Sequence, residues 1–389
     1  MKFNFARIPQ ILFGPGKIQG LPGVIGKYGK QVLLVTGKSS LSESASWDKI
    51  IMGISHEKIA WDHFSVQGEP SPGMIDACVM GENFREPDVV VAIGGGSVLD
   101  AGKAISAMWK KHEPVRFYLE GVGDGREHDG QKIPFIAIPT TAGTGSEATK
   151  NAVISEVGPG GFKRSLRHDQ FVPEIAIIDP DLTVNCPKEI TAWSGMDAFT
   201  QLLESYLSTE ASPMTDALAL SGLKRIAGSL EKAVSDPDDL SARTDMAYAA
   251  LCSGITLANA GLGVVHGFAS SIGGRFQIPH GLICGTLMGV ANEFLLNNLL
   301  KNDTSSLAVK KYAETGRIFH ETSNRDGIFY AEFIINKIHD LVEKFNLPRL
   351  SDFGFDRAEI ENIARSTSCK YNPVNHDVSE LAGMLERRV

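Results

Sequence analysis

A change of hydrophobic period near residue 180 constrains this chain more than any other feature. Upstream of it, short β-branched runs alternate with amphipathic stretches: QVLLV (31–35), VVVAIGG (89–95), IPFIAIPT (133–140) and EIAIID (174–179). Continuous apolar runs of this length fit parallel strands covered on both faces. Segments 72–84 and 97–109 carry helical spacing, so the first half predicts βαβ units and a Rossmann-like parallel sheet. Past Asp179-Pro180-Asp181 only helical periodicity remains, over 188–208, 213–232, 241–260, 281–300, 305–322 and 327–345. Polar breaks such as SDPDD (235–239) separate some of these segments. The expectation is a two-domain chain, α/β over 1–183 and all-helical over 184–389, each long enough to bury its own core.

Two glycine-rich loops stand at predicted strand ends. In VVVAIGGGSVLDAGKAIS a strand runs through Gly94, Gly95 and Gly96 into a helix. Bare amides at a helix N-terminus favour an anion, so a dinucleotide pyrophosphate would sit well there. Ser97 and Asp100 have the spacing of a capping box that would fix the helix start. Taken alone, GGGS also fits a plain strand-to-helix turn. The second loop, IPFIAIPTTAGTGSEAT, offers hydroxyls and small residues through Thr140, Thr141 and Thr144. Two such loops on one sheet describe the ligand crevice of an open α/β fold. After the first strand the chain reads TGKSS, with Gly37, Lys38, Ser39 and Ser40 where a ribose-binding carboxylate would select NAD. That composition leans toward NADP.

Partners are narrowed by charge and cysteine usage. The net charge of −8 gives no reason to expect nucleic acid or an anionic membrane surface. No apolar run approaches the length that spans a bilayer, and the first residues lack a secretory pattern. The 5 cysteines are scattered without CxxC spacing, which fits reduced thiols in a cytoplasm.

The helix over 188–208 carries an unusual pair. Asp197 and Gln201 lie one turn apart on one side, and Asp197 interrupts an apolar stripe of Met196, Phe199, Leu202 and Leu203. Farther on, GLGVVHGFASSIGGRFQIPHGLICG places His266 and His280 before glycines among small apolar residues. His112, His128 and His168, by contrast, have polar surroundings and read as surface residues. A buried histidine usually just finds a hydrogen bond, but two flanked alike, with an inward Asp197 upstream, make a candidate metal set.

In order and spacing, FGPGKI (13–18), GGGSVLDAGKAIS (94–106), IPTTAGTGSEAT (138–149), IIDPDL (177–182), GMDA (195–198) and the two histidine segments resemble the iron-dependent (group III) alcohol dehydrogenase family, of dehydroquinate synthase-like fold. The resemblance implies a nucleotide-binding α/β domain, a helical domain and a divalent metal, iron or zinc, in the cleft between them. By position, Asp197, His266 and His280 match three metal ligands and carry the catalysis that the metal supports. Gly94 to Ser97 match the pyrophosphate loop, and Thr140, Thr141 and Thr144 match nucleotide contacts. Lys163 matches a lysine near the nicotinamide ribose, and Leu182 an apolar nucleotide contact. Gly37 stands where NAD-preferring members carry aspartate. Typical members read GMDAxxH, so Gln201 replaces the fourth ligand, a histidine, with a weak carboxamide donor. Another histidine that varies within the family is here Ser270.

The activity so implied is hydride transfer between NADPH (or NADH) and a small aldehyde or alcohol, with the carbonyl polarised by the metal, in a homodimer. Three alternatives stay open at this point. They are a metal-free reductase of the maleylacetate reductase kind, a dehydroquinate synthase-like lyase, and a nucleotide-binding protein that has lost its chemistry.

Overall fold

Apolar cover on both faces is what turns the β-branched runs into strands. The computed structural model describes residues 2–38, 41, 45–320 and 324–389. Among them are the strands β1 (Gln10–Phe13), β2 (Gln31–Gly37), β3 (Ala60–Val66), β4 (Val89–Gly94), β5 (Phe135–Pro139), β6 (Asn151–Glu156), β7 (Phe162–Arg167) and β8 (Ile175–Ile178). All but β6 and β7 form one parallel sheet of order β1-β8-β5-β4-β2-β3. The helices α1 (Leu21–Ile25), α2 (Ala45–His56), α3 (Pro72–Met80) and α4 (Gly96–Met108) flank it. On one face Leu33, Val35, Val90, Ala92, Phe135 and Ala137 pack with residues of α3 and α4; on the other Val32, Leu34, Val89, Val91, Ile93, Ile136 and Ile138 pack with α1 and α2. Alternate residues of each strand thus enter different cores, which is why the sequence pattern is continuous rather than alternating.

The strand order fixes where a ligand can bind. From β2 the chain moves outward to β3 and returns to β4 on the other side of β2, so the direction of winding reverses between β2 and β4. In an open parallel sheet the crevice lies beyond the strand ends at that reversal. The carboxyl ends there are Gly37, Gly94 and, beside Gly94, Pro139.

The helical half consists of α5 (Lys188–Leu207), α6 (Pro213–Ser235), α7 (Leu240–Ala260), α8 (Val264–Gly273), α9 (His280–Asn302), α10 (Leu307–Phe319), α11 (Gly327–Lys344), α12 (Ile360–Ser366) and α13 (Val378–Glu386). Met196, Phe199, Leu202 and Leu203 of α5 lie in one large core with Leu223, Ile226 and Leu230 of α6 and Leu287 of α9. A smaller core joins the two halves: Ala176 and Ile178 of β8 meet Ala247, Leu251 and Ile255 of α7.

Four sequence expectations are corrected. The Ser97–Asp100 capping box does not form: β4 runs straight into α4, whose N-cap is Gly95 with no side-chain cap. Ser97 is therefore inside the first turn, and Asp100 instead accepts a hydrogen bond from Ser146 Oγ (2.5 Å). His128 is buried, not on the surface. The Gly130 amide donates to its Nδ1 (2.9 Å), so Nε2 carries the proton and donates to Ala107 O (3.0 Å). Finally, β6 and β7 form an antiparallel hairpin that the period analysis did not mark, because half of FKRSLR is charged. The helix expected over 305–322 ends at Phe319, and 321–322 lie outside the described residues.

Candidate active site

Helix α5 is held by its apolar stripe, and that packing aims three polar side chains one way. Asp197, Gln201 and Glu204 stand at positions i, i+4 and i+7, and all are buried. Neither carboxylate oxygen of Asp197 meets a hydrogen-bond donor in good geometry. The nearest groups to Oδ1 are His266 Nε2 at 3.3 Å and His280 Nε2 at 3.8 Å. A buried carboxylate without donors costs several kcal/mol unless a cation compensates it. His266 and His280 hold the Asp197 pKa below the ordinary carboxylate range, although burial pushes it up.

Both histidines occupy the starts of helices. His266 lies in the first turn of α8, and His280 is the first residue of α9. Glu204 caps α8, accepting from Val265 N (2.7 Å) with one oxygen and facing His266 Nδ1 (2.7 Å) with the other. The carboxylate can only accept, so Nδ1 carries a proton, which leaves Nε2 as the ring atom that would ligate a cation once its own proton is displaced. Burial works against a charged His266, but the Cys284 sulfur, Asp197 and Glu204 outweigh it and raise its pKa well above the usual value. Burial lowers His280 to about 4; Asp197 opposes this, while Lys163 and His266 add to it. One turn along α9, Cys284 brings its sulfur to the same point. Single ligand atoms of Asp197, His266, His280 and Cys284 all lie within 4.8 Å of one another. A carboxylate lacking donors, two imidazole nitrogens and a thiol form a donor set that fits a divalent cation.

Asp197, His266 and His280 form one wall of a cavity of about 560 Å³. Gly95, Gly96, Ser97, Asp100, Thr141, Thr144 and Lys163 line it as well, and so does Gln201. The two glycine-rich loops touch: a Cβ on Gly96 would come within 2.5 Å of Thr144 Cγ2, so only glycine lets them close. Lys103, buried in α4, ties them further by donating to Ser146 O (2.8 Å), Thr149 Oγ1 (3.1 Å) and Asn151 O (2.6 Å). Burial brings its pKa down to about 8 against the pull of Asp100 and Glu147. Lys163, delivered by β7, pairs with Glu69 at 3.0 Å. Ser270 also lines the cavity.

Gly94, Thr140, Gly37 and Leu182 are not among the lining residues. Gly94 and Thr140 join the ends of β4 and β5, Thr140 N donating to Gly94 O (3.0 Å). Gly37 ends β2, and Leu182 packs against the sheet face shared with α1 and α2. Ser39 and Ser40 lie outside the described residues. Gln201 Oε1 accepts from Ser253 Oγ (2.6 Å). Sequence reasoning missed Glu204, Cys284, Lys103 and Glu69. Signals existed for two of them: Glu204 continues the Asp197–Gln201 stripe, and Cys284 lies one helical turn after His280.

The family model described as iron-containing alcohol dehydrogenase matches residues 9–180, and that for the C-terminal part of the Fe-containing alcohol dehydrogenase family matches 191–386. The probable alcohol dehydrogenase EutG of Escherichia coli is 30% identical over 391 residues, covering 98% of this chain and 93% of that protein. The NADPH-dependent butanol dehydrogenase of Clostridium saccharobutylicum is 31% identical over 368 residues, 93% of this chain and 89% of that one. The crystal structure of a 1,3-propanediol oxidoreductase superposes with a TM-score of 0.87 at 29% identity, covering 100% of both chains.

Proposed function

The chain belongs to the iron-containing alcohol dehydrogenase family and is an NAD(P)-dependent, metal-containing oxidoreductase of small alcohols and aldehydes, and on that premise we propose which of its residues act. Asp197, His266 and His280 hold the divalent cation, iron or zinc. The observation that carries this is the Asp197 carboxylate, buried beside two imidazoles with no donor for either oxygen. Gln201 lines the same wall, and its carboxamide oxygen, engaged by Ser253, is the weakest donor of the set.

When bound, the cation supplies Lewis-acid polarisation of a carbonyl and the nicotinamide supplies the hydride. The protein's own work is placement. Amides of Gly95, Gly96 and Ser97 at the start of α4 receive the pyrophosphate, with Gly94 behind them in the turn. Thr140, Thr141 and Thr144 offer polar contacts to the nucleotide, Leu182 an apolar one, and Lys163 a charge near the nicotinamide ribose. Asp100 acts through Ser146, fixing the second loop against the first. Gly37, with Ser39 following it, leaves room for a 2′-phosphate, so NADP is the preferred cofactor; the NADPH-dependent butanol dehydrogenase supports that reading. Glu204 sets the tautomer of His266 and is a positioning residue.

The same reading divides the chain into a nucleotide-binding domain over 1–183 and a metal and substrate domain over 184–389. It makes the protein a cytoplasmic homodimer. All 5 cysteines are free, which suits a reducing compartment. No single helix among the described residues is long and apolar enough to cross a membrane.

Exhaustive chelation should abolish aldehyde-dependent NADPH oxidation, and one equivalent of metal should restore it. Full activity in metal-free protein would overturn the assignment and favour a metal-free reductase.

A further inference from the structure

We infer that Cys284 is a fourth ligand of the cation and that its thiolate makes zinc(II), rather than iron(II), the ion this chain holds. The inference rests on the metal-site reading above and adds to it a residue and a metal preference. Gln201 occupies the position where the family pattern has its fourth ligand and third nitrogen donor, and its oxygen accepts from Ser253 Oγ. The replacement comes from another helix. Cys284 Sγ lies 3.6 Å from His266 Nε2 and 3.8 Å from His280 Nε2.

These separations can be compared with the edges of a coordination tetrahedron. Metal–nitrogen and metal–oxygen bonds of about 2.0–2.1 Å and a metal–sulfur bond of about 2.3 Å give edges of roughly 3.3–3.4 Å between N or O atoms and roughly 3.6 Å from S to N. The Asp197–His266 and Asp197–His280 edges are 3.3 and 3.8 Å, and the two sulfur edges are 3.6 and 3.8 Å. Four of the six edges therefore fall within about half an ångström of a four-ligand shell, to which a carbonyl would add as a fifth ligand. Cys284 is fully buried, so it is out of reach of solvent oxidants, and its sulfur has this cluster as its polar surroundings.

Charge and softness then choose the ion. Sγ releases its proton to solvent as the metal–sulfur bond forms, so one carboxylate and one thiolate together neutralise a divalent cation in a buried site. An oxygen, two nitrogens and a sulfur in tetrahedral array suit zinc(II), whereas the nitrogen-rich set of the family pattern suits iron(II).

Cobalt(II) substitution of the intact chain tests this. The wild-type cobalt protein should show a thiolate-to-cobalt charge-transfer band in the near ultraviolet. Cys284→Ser should lose that band, with the other four cysteines still in place, while ligand-field bands persist at weakened affinity. In competitive anaerobic loading with equal zinc(II) and iron(II), the wild type should take zinc. Cys284→Ser should lose about tenfold or more of that preference. If the variant fails to fold, zinc-edge X-ray absorption of the wild type decides the matter: one sulfur neighbour at about 2.3 Å is expected. Cobalt bound one per chain with no charge-transfer band, or a zinc shell without sulfur, overturns the role of Cys284 and leaves the metal site standing. No cobalt or zinc bound at all overturns both.

Discussion

Glu204→Gln isolates the group that orients His266, a proposed metal ligand. The wild-type carboxylate offers one oxygen to Val265 N and the other to His266 Nδ1, each at 2.7 Å. Glutamine has a single acceptor oxygen for these two donors. If that oxygen serves His266, the buried Val265 amide faces an NH₂ group and loses its partner, costing about 1–3 kcal/mol of stability. If it serves Val265, the amide NH₂ drives the imidazole to the other tautomer, and a proton then occupies Nε2, the atom turned toward Asp197. Either route weakens metal binding; loss of a carboxylate behind a ligating histidine typically costs about 10–100-fold in affinity, or about 1.4–2.8 kcal/mol. Zinc affinity by competition with a chromophoric chelator, beside urea unfolding of the metal-free protein, reads both quantities. A variant that binds zinc within about twofold of wild type and unfolds at the same urea concentration would refute the reasoning.

Three further perturbations follow from the loops and the cofactor edge. Gly254→Ala would set a methyl 2.2 Å from the carbonyl oxygen of Gly145, whose φ is +62°, so α7 should push the second loop aside; about 1–3 kcal/mol of stability and measurable NADPH affinity should be lost together in melting and fluorescence titration. Burial, against a backbone amide and Lys103, raises the Glu147 carboxyl from its ordinary 4.5 to about 7. Its contribution is complete below pH 4.5 and is lost as pH rises through about 7, so wild type should lose about 3 kcal/mol relative to Glu147→Gln over that window; a difference flat from pH 5 to 8 in urea titrations would contradict this. Gly37→Asp should shift the ratio of kcat/KM for NADPH over NADH by about tenfold or more toward NADH through charge repulsion, and an unchanged ratio would place the 2′-phosphate elsewhere.

Much of this architecture was legible because its causes are local. Runs such as VVVAIGG and IPFIAIPT are apolar at every position, and that leaves few options other than strands buried on both sides. The helices from Lys188 onward announced themselves by period, and Asp197 by being polar in an apolar stripe. What stayed hidden depends on contacts between distant segments. Glu204 reaches α8 across 62 positions, and Lys103 reaches Asn151 across 48. Neither partnership leaves a spacing to read. The start of α4 was misplaced for a related reason. The capping box is a local pattern, but Asp100 finds its hydroxyl on the neighbouring loop, and contact between loops prevailed over the local motif.

Because Asp197 and Glu204 ride on the helix whose other residues, Phe199, Leu202 and Leu203, pack the largest hydrophobic core, the proposed metal site is only as stiff as that close-packed interior. Trimming Phe199, fully buried there, to alanine should cost about 3–5 kcal/mol and also loosen the helix by amounts large against a coordination bond. Remote repacking should therefore register as altered selectivity among ions together with lost stability.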